Sequence, residues 1–506
     1  MTTPPKPEGR LRRWLRRLWR WFVVYCMASL ALSFIPEMPL DVKVLGEPER
    51  VAVSGELLAG TAKTVITPPE ALWDRVNLYG ESRPIRGVLQ DVHARALTLG
   101  ASGADGLVSL VSVELIVIPP AMRPAVKAEL TRRGLGHVHV VLGATHTHTG
   151  PGNFWDLPFG RLYMGRYSEE YFDFLVTRVA DAIEASTKTM RPARIGFGST
   201  RTRHLVKQRR SIEPVTGLRP PVDETLEVMR VDAKADGRVI AYVLNLGAHP
   251  TTLLHRTDRK VSGDYPGAVS QLLEEVHPGA VALFLQGAAG SVRATSPRPY
   301  RNYRGIPDDA QARVAMQGDL LLTFVREAER RMRFDDRLDL AAAFVTVALP
   351  TPDVHFFPEE RPYAAVRVLA RIPGWLMDFA VDAIGLPERA SFQAVRLGHA
   401  YLLTFPGDLS NRLGWDVRRH LRRDHVMVLG VSNDYALGYT LTREEYDMGG
   451  VASLGGSERV QCFYGKRAGP FCVAAAHLLA NMVREKDADD VMLYRLGDGP
   501  ARIPGQ

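Results

Sequence analysis

Cysteine is nearly missing from this 506-residue chain: only Cys26, Cys462 and Cys472 occur, none in a Cys-x-x-Cys pair. That excludes a disulfide-rich scaffold and a structural zinc site built on such pairs. Cys26 lies inside an apolar run. Cys462 and Cys472 are spaced either to close a short disulfide loop in an oxidising compartment or to sit as two buried thiols. Internal repeats and low-complexity tracts are also absent, which leaves a non-repetitive globular chain. Net basic charge is scarce outside one tail. Residues 1–20 hold one Lys and six Arg against one Glu, a net charge of +6, so the other 486 residues share only +2. The overall pI near 9.4 therefore belongs to the tail. It points to a membrane-facing segment, because a nucleic-acid-binding domain would spread its charge over a folded face.

The apolar run after the tail, Trp21 to Ile35, has 15 uncharged residues and stops at Pro36. A spanning helix usually needs roughly 20. Three readings are open: a signal anchor with the arginines on the cytoplasmic side, a cleaved signal peptide, and an amphipathic helix lying on the bilayer. Trp14, Trp19 and Trp21 beside the arginines, and the lack of a small-x-small cleavage site, favour the anchor.

The chemistry sits elsewhere. An apolar strand ending near Ala144 runs into His146 and His148, and then into Gly150-Pro151-Gly152. Alternation along a strand puts residues i and i+2 on one face, so both imidazoles can look into one pocket. The plain alternative is a pair of hydrogen-bonded histidines at a strand end. The same arrangement recurs at Ile240–Leu246 before His249-Pro250, Ala282–Leu285 before Gln286-Gly287, Ala400–Phe405 before Asp408, and Val426–Val431 before Ser432 to Tyr435. In open α/β sheets ligands bind at the carboxyl edge of the strands. The expectation is an α/β fold with a mixed sheet and, at that edge, His146, His249 and Asp408 joined by a tyrosine as ligands for a zinc-type ion. Asp264 reads as the N-cap of the following helix, and His93 and His137 as structural. The Tyr435, Tyr439 and Tyr446 cluster reads as loop packing with hydrogen-bonded hydroxyls. A helix is expected at 168–187, capped by Ser168, with Tyr171, Leu175, Val179 and Ile183 on one face, and another at 471–485.

Six segments carry a resemblance: 61–69 (Thr-Ala-Lys-Thr-Val-Ile-Thr-Pro-Pro), 91–97 (Asp-Val-His-Ala-Arg-Ala-Leu), 144–152 (Ala-Thr-His-Thr-His-Thr-Gly-Pro-Gly), 245–251 (Asn-Leu-Gly-Ala-His-Pro-Thr), 283–290 (Leu-Phe-Leu-Gln-Gly-Ala-Ala-Gly) and 438–446 (Gly-Tyr-Thr-Leu-Thr-Arg-Glu-Glu-Tyr). In this order they resemble the catalytic domain of the neutral, non-lysosomal ceramidases and their smaller bacterial relatives. The resemblance implies one zinc per chain held by His146, His249, Asp408 and Tyr439, with His148 handling the oxyanion or the proton, and Arg210 near the substrate carbonyl. By itself Arg210 reads equally well as a surface arginine in the basic loop of Lys207 and Arg209. The family's immunoglobulin-like C-terminal domain is not expected in the short segment after residue 485.

Three departures stand out. Asp408 replaces the family's glutamate and is one methylene shorter, so its strand must approach closely to keep a zinc–oxygen distance of about 2.0–2.2 Å. The family's second active-site tyrosine, twelve positions beyond the first, falls on Val451. Its Gly-Asp-Val-Ser-Pro segment becomes Gly290-Ser291-Val292-Arg293-Ala294. The reading that results is a basic tail and membrane helix (1–36), a linker (37–57), a ceramidase-like catalytic domain (58–485) and a tail (486–506). The protein is expected to be membrane-anchored, with the catalytic domain periplasmic or extracytoplasmic. Its expected activity is cleavage of the amide of an N-acylated lipid such as ceramide to a fatty acid and an amine, without a nucleic-acid partner. The alternatives are a lipid-binding member impaired in catalysis, and a hydrolase of a non-lipid amide or ester. The apolar 356–386 segment serves as core packing or as a lid over a lipid groove.

Overall fold

A computed structural model describes residues 14, 17–24, 42–209, 221–296, 303–350, 386–421, 423–447 and 461–484. Thirteen strands form one continuous sheet: β1 (Val44–Val65), β2 (His93–Ala101), β3 (Leu107–Val113), β4 (Val138–Ala144), β5 (Arg191–Arg201), β6 (Thr225–Ala233), β7 (Val239–Leu246), β8 (Val281–Gln286), β9 (Phe334–Asp335), β10 (Arg337–Ala348), β11 (Arg389–Leu397), β12 (Ala400–Thr404) and β13 (His425–Leu429). The main path runs β8-β7-β6-β5-β1-β10-β11-β12-β13, with β2-β3-β4 branching from β1 and β9 pairing with β5.

The branch point is β1, a strand of 22 residues. Its first half pairs antiparallel with β10 and its second half with β2, and Leu58 and Ala59 also meet the start of β5. Residues 44–57, expected as linker, are thus structural. Gly46-Glu47-Pro48 interrupts the alternation, but the structure absorbs it as a register shift between Leu45 and Glu49, with Gly46 at φ 73°. Such a bulge keeps pairing on both sides of the interruption.

The three arms of the sheet enclose one apolar core, to which Leu57, Leu99, Leu110, Met229, Leu283, Leu340, Leu402 and Leu429 all contribute. Helices cover the outer faces: α1 (Met122–Arg132) and α2 (Glu169–Lys188) over β2 to β4, α3 (Asp264–Val276) and α4 (Asp309–Glu329) over β7 and β8, α5 (Asn411–Leu421) and α6 (Ala468–Val483) over β10 to β13. Strands β4, β7, β8 and β12 are therefore buried along their whole length, which explains their near-continuous hydrophobic runs. Helix α2 follows its sequence: the Ser168 hydroxyl accepts from the Tyr171 amide at 3.3 Å, and Tyr171, Leu175, Val179 and Ile183 are buried. The C-terminal helix begins three residues earlier than expected, at Ala468.

Within this sheet three pairs of strands are parallel, β3 with β4, β7 with β8 and β12 with β13, and each pair is joined through a helix. A parallel pair needs such a crossover, and three of them bring the carboxyl ends of six strands to one edge of the molecule. Side chains and backbone stitch that edge together. The Asn245 amide donates to Leu285 O and Val428 O, and Ser112 Oγ to Phe284 O. Asn433, at φ 61°, accepts from the Leu142 amide and donates to Gln393 Oε1 and Thr404 Oγ1.

Two expectations are corrected. Trp14 and residues 17–24 are helical, and Trp14, Trp19 and Trp21 are exposed. Among the described residues no helix is long and apolar enough to cross a membrane. This overturns the expected membrane helix and with it the membrane-anchored localisation; residues 25–35 of the apolar run lie outside the described residues. Of the two alternatives left open for Cys462 and Cys472, the structure shows buried thiols not joined to each other, and burial pushes the Cys472 thiol up. Segment 356–385 and the tail from 485 onward lie outside the described residues.

Three hydrogen bonds of about 1 kcal/mol each meet at Asn433, which holds a backbone conformation that alanine adopts only at a cost. Asn433→Ala should lower unfolding free energy by about 2–4 kcal/mol in urea titrations with an unchanged slope; a loss under about 1 kcal/mol would contradict this role.

Candidate metal centre

Strand β4 stops at Ala144, and the alternation expected to align His146 and His148 stops with it. His146 has φ 66°, a left-handed conformation that costs a non-glycine residue of order 1–3 kcal/mol. The tip is held from outside. The Thr145 and His146 amides donate to Val113 O and Leu115 O, while the hydroxyls of Thr147 and Thr149 both donate to Ser262 O. This turn still brings the two rings together, their centroids 5.0 Å apart at 83°.

His146 Nδ1 donates to Ile116 O at 2.6 Å, and His249 Nδ1 to Ala289 O at 2.9 Å. Each bond commits the ring proton to Nδ1 and leaves Nε2 as a lone pair. The two Nε2 atoms face each other at 3.1 Å. Asp408 and Tyr439 reach the same point from a short parallel pair, Gly407–Leu409 with Gly438–Thr440, in which they are register partners. Asp408 Oδ2 lies 3.4 Å from His146 Nε2 and 3.6 Å from His249 Nε2, and the Tyr439 hydroxyl 3.3 Å from His249 Nε2. Ligands at about 2.0–2.1 Å in a tetrahedron stand roughly 3.3–3.4 Å apart, which is the spacing found.

The electrostatics agree. Burial, reinforced by Arg209 and the neighbouring histidines, holds His249 well below the usual imidazole range, so it carries no proton for Asp408. Asp408 Oδ2 is buried and has no hydrogen-bond partner. A buried carboxylate without a counter-charge is strongly disfavoured, and a cation at this point would remove the penalty. The donors thus fit a tetrahedral ion of zinc type, with second ring nitrogens tied to carbonyls as ligating histidines usually are.

His148 stands beside this set. Both its ring nitrogens are buried without a partner, and burial, then the charges of His146 and Arg209, push it well below the usual range. His146, His148 and His249 form a group that could hold a metal ion, their ligand atoms lying within 4.8 Å of one another. Asp408 and Tyr439 approach the His249 Nε2 atom of that group at 3.6 and 3.3 Å.

Arg210 lies outside the described residues, as does Val451. Its neighbour Arg209 reaches the centre, with Nη1 3.2 Å from the His249 ring nitrogens and its amide donating to Ser291 O. Two adjacent arginines give no sequence sign of which one turns inward. Asp264 corrects another expectation. Gly263 is the N-cap of α3, and Asp264, fully buried at φ 52°, accepts from the Leu253 and Tyr265 amides, bracing the loop beyond His249. Burial pushes its carboxyl up to about 6. Tyr439 belongs to the centre, and Tyr435 packs edge-on against Trp155 with its hydroxyl toward Gln461. His93 stands next to Glu114 and His137 is exposed. Around the changed 290–294 segment, Ser291 Oγ accepts from the Asn411 amide. The Gly290 amide donates to Leu409 O, and a Cβ at Gly290 would sit 2.8 Å from Asp408 O. The Asp408 strand therefore packs directly on glycine backbone, the close approach that a short carboxylate needs.

The fold and its centre define a mixed α/β protein with a histidine, carboxylate and tyrosine cluster at the carboxyl edge of its strands. Comparison with known proteins adds a likeness: residues 60–296 match the N-terminal domain model of the neutral/alkaline non-lysosomal ceramidases. The neutral ceramidase of Pseudomonas aeruginosa is 24% identical over 452 residues, covering 76% of this chain and 67% of its own. Neutral ceramidase A of Dictyostelium discoideum is 28% identical over 158 residues, 29% of this chain and 21% of its own. The crystal structure of the Pseudomonas aeruginosa enzyme matches the fold with a TM-score of 0.67 at 20% identity, over 84% of this chain and 74% of that one.

A ligand present at a thousand times its Kd stabilises by about 4 kcal/mol. Zinc added to chelator-treated protein should therefore bind at one ion per chain and raise the melting temperature by several degrees. His249→Ala and Asp408→Asn should abolish the rise; an equal rise in either variant would contradict the centre.

Proposed function

We propose that the chain is a zinc-dependent amidohydrolase that cleaves the amide of an N-acylated lipid such as ceramide to a fatty acid and an amine. His146, His249, Asp408 and Tyr439 are the zinc ligands in this reading, and His148 handles the proton. The observation that carries it is the meeting of four buried donors from four separate segments, one of them a carboxylate oxygen without a hydrogen-bond partner, in a chain similar to neutral ceramidases. When bound, a zinc ion with an open position lowers the pKa of water to roughly 7 and polarises a carbonyl.

The chain's own residues do the rest. His146 and His249 present their Nε2 lone pairs without rearrangement, because Ile116 O and Ala289 O already hold the rings. Asp408 offsets part of the positive charge at the centre. His148, neutral and free of protein partners, takes a proton from the attacking water and returns it to the departing nitrogen. Arg209 contributes fixed positive charge where negative charge develops on the carbonyl oxygen, and Arg210 keeps the role beside the carbonyl that the resemblance gives it. The changes at Ser291, Arg293 and Ala294, with valine at 451, favour one second reading, a lipid-binding member that has lost turnover.

Zinc-loaded full-length protein should release fatty acid from ceramide in mixed micelles. His148→Ala should lower kcat about 10²- to 10⁴-fold with zinc content unchanged. Ceramide binding without release would favour the second reading, and neither binding nor release would overturn both.

A further inference from the structure

A pocket of about 190 Å³ opens at His148 and is walled by Glu81, Arg83, His255, Asp258 and Arg259. Liquid water takes about 30 Å³ per molecule, so the pocket has room for a small head group. Its lining is mainly polar. Two loops build it and are clamped to each other: the Arg86 amide donates to Arg259 O, Arg259 Nη1 donates to Pro84 O, and residues 87–88 pair in parallel with 260–261.

The charges of the lining do not cancel. Glu81 is engaged by His255 Nδ1 at 2.9 Å, and Asp258 by Arg86 at 3.1 Å. Both carboxylates of the wall are thereby taken. Arg83 and Arg259 have no carboxylate partner among the described residues, and Arg259 Nε is buried without any hydrogen-bond partner. The loop that carries Arg259 is also strained, with His255, Asp258 and Arg259 all at positive φ (57°, 49° and 62°). Strain at non-glycine residues gathers where a function holds it. A guanidinium with a buried unsatisfied donor, beside a second one, suits a carboxylate, sulfonate or phosphate, whose oxygens accept in its fork geometry.

Building on the hydrolase reading, we infer that this pocket receives an anionic group on the amine side of the substrate, so that the preferred substrates are N-acyl amines with a negative charge a few bonds from the scissile amide. His148 then stands between the charged group and the acyl chain, at the bond to be cut. The neutral head group of ceramide would leave both guanidiniums unanswered.

Calorimetric titration of the zinc-loaded full-length protein with N-octanoylglycine and with the neutral N-octanoylethanolamine tests this. The anionic amide should bind at least tenfold more tightly, and Arg83→Ala, an exposed substitution, should bring the ratio of the two Kd values toward one, as should Arg259→Gln. Equal affinities in the unaltered protein, or a preference untouched by both substitutions, would overturn the inference. Turnover of the same pair separates the two claims. A binding preference without cleavage of either amide leaves the anion pocket standing and sinks the hydrolase; cleavage of both with equal affinity does the reverse.

Discussion

One buried carboxylate oxygen with no hydrogen-bond donor sets the terms for this structure. Asp408 Oδ2 faces two imidazole nitrogens whose own protons are committed to backbone carbonyls on the far side of each ring. Three lone-pair atoms around one point repel one another in a low-dielectric interior, and the cost is several kcal/mol for the carboxylate alone. A cation placed among these atoms would offset that cost. The other features of the centre, from the left-handed turn at His146 to the register of Asp408 with Tyr439, serve to hold those atoms in place.

The fold makes such holding affordable. Three strand–helix–strand units deliver parallel strands to a common edge, and the central core shared by all three arms of the sheet prevents any one of them from shifting alone. Asn245, Asn433 and Ser112 then tie neighbouring strands together just behind the centre. A rigid second layer of this kind keeps metal ligands pointed when the ion leaves. It also explains why backbone strain is tolerated at His146, Val431 and Asn433: the surrounding bonds over-determine these residues.

Much of this was legible in the sequence, because strand ends punctuated by histidine, glycine and aspartate mark the carboxyl edge whatever the exact path of the chain. The same reading reached His146, His249, Asp408 and Tyr439, the last through resemblance more than chemistry. It found the Ser168 cap because a serine before two acidic residues satisfies orphan amides in a recognisable way. Other features left no mark. The bulge at Gly46 to Pro48 looks like a linker, since only the distant partner β10 shows that pairing resumes. Positive φ at His146, Asp264 and Arg259 is imposed by tertiary contacts, so no residue type announces it. The reach of Arg209 to His249 depends on the phase at the end of a three-residue strand, Val206–Gln208.

The account stands or falls on what surrounds the ion. X-ray absorption at the zinc edge of the loaded protein reads this directly. The account predicts a shell of nitrogen and oxygen neighbours at about 2.0–2.1 Å, with the outer-ring signature of two imidazoles and no sulfur. A spectrum with three imidazoles and no loss of intensity in Asp408→Asn would assign the ion to His148 instead, and a zinc ion surrounded only by water would contradict the centre altogether.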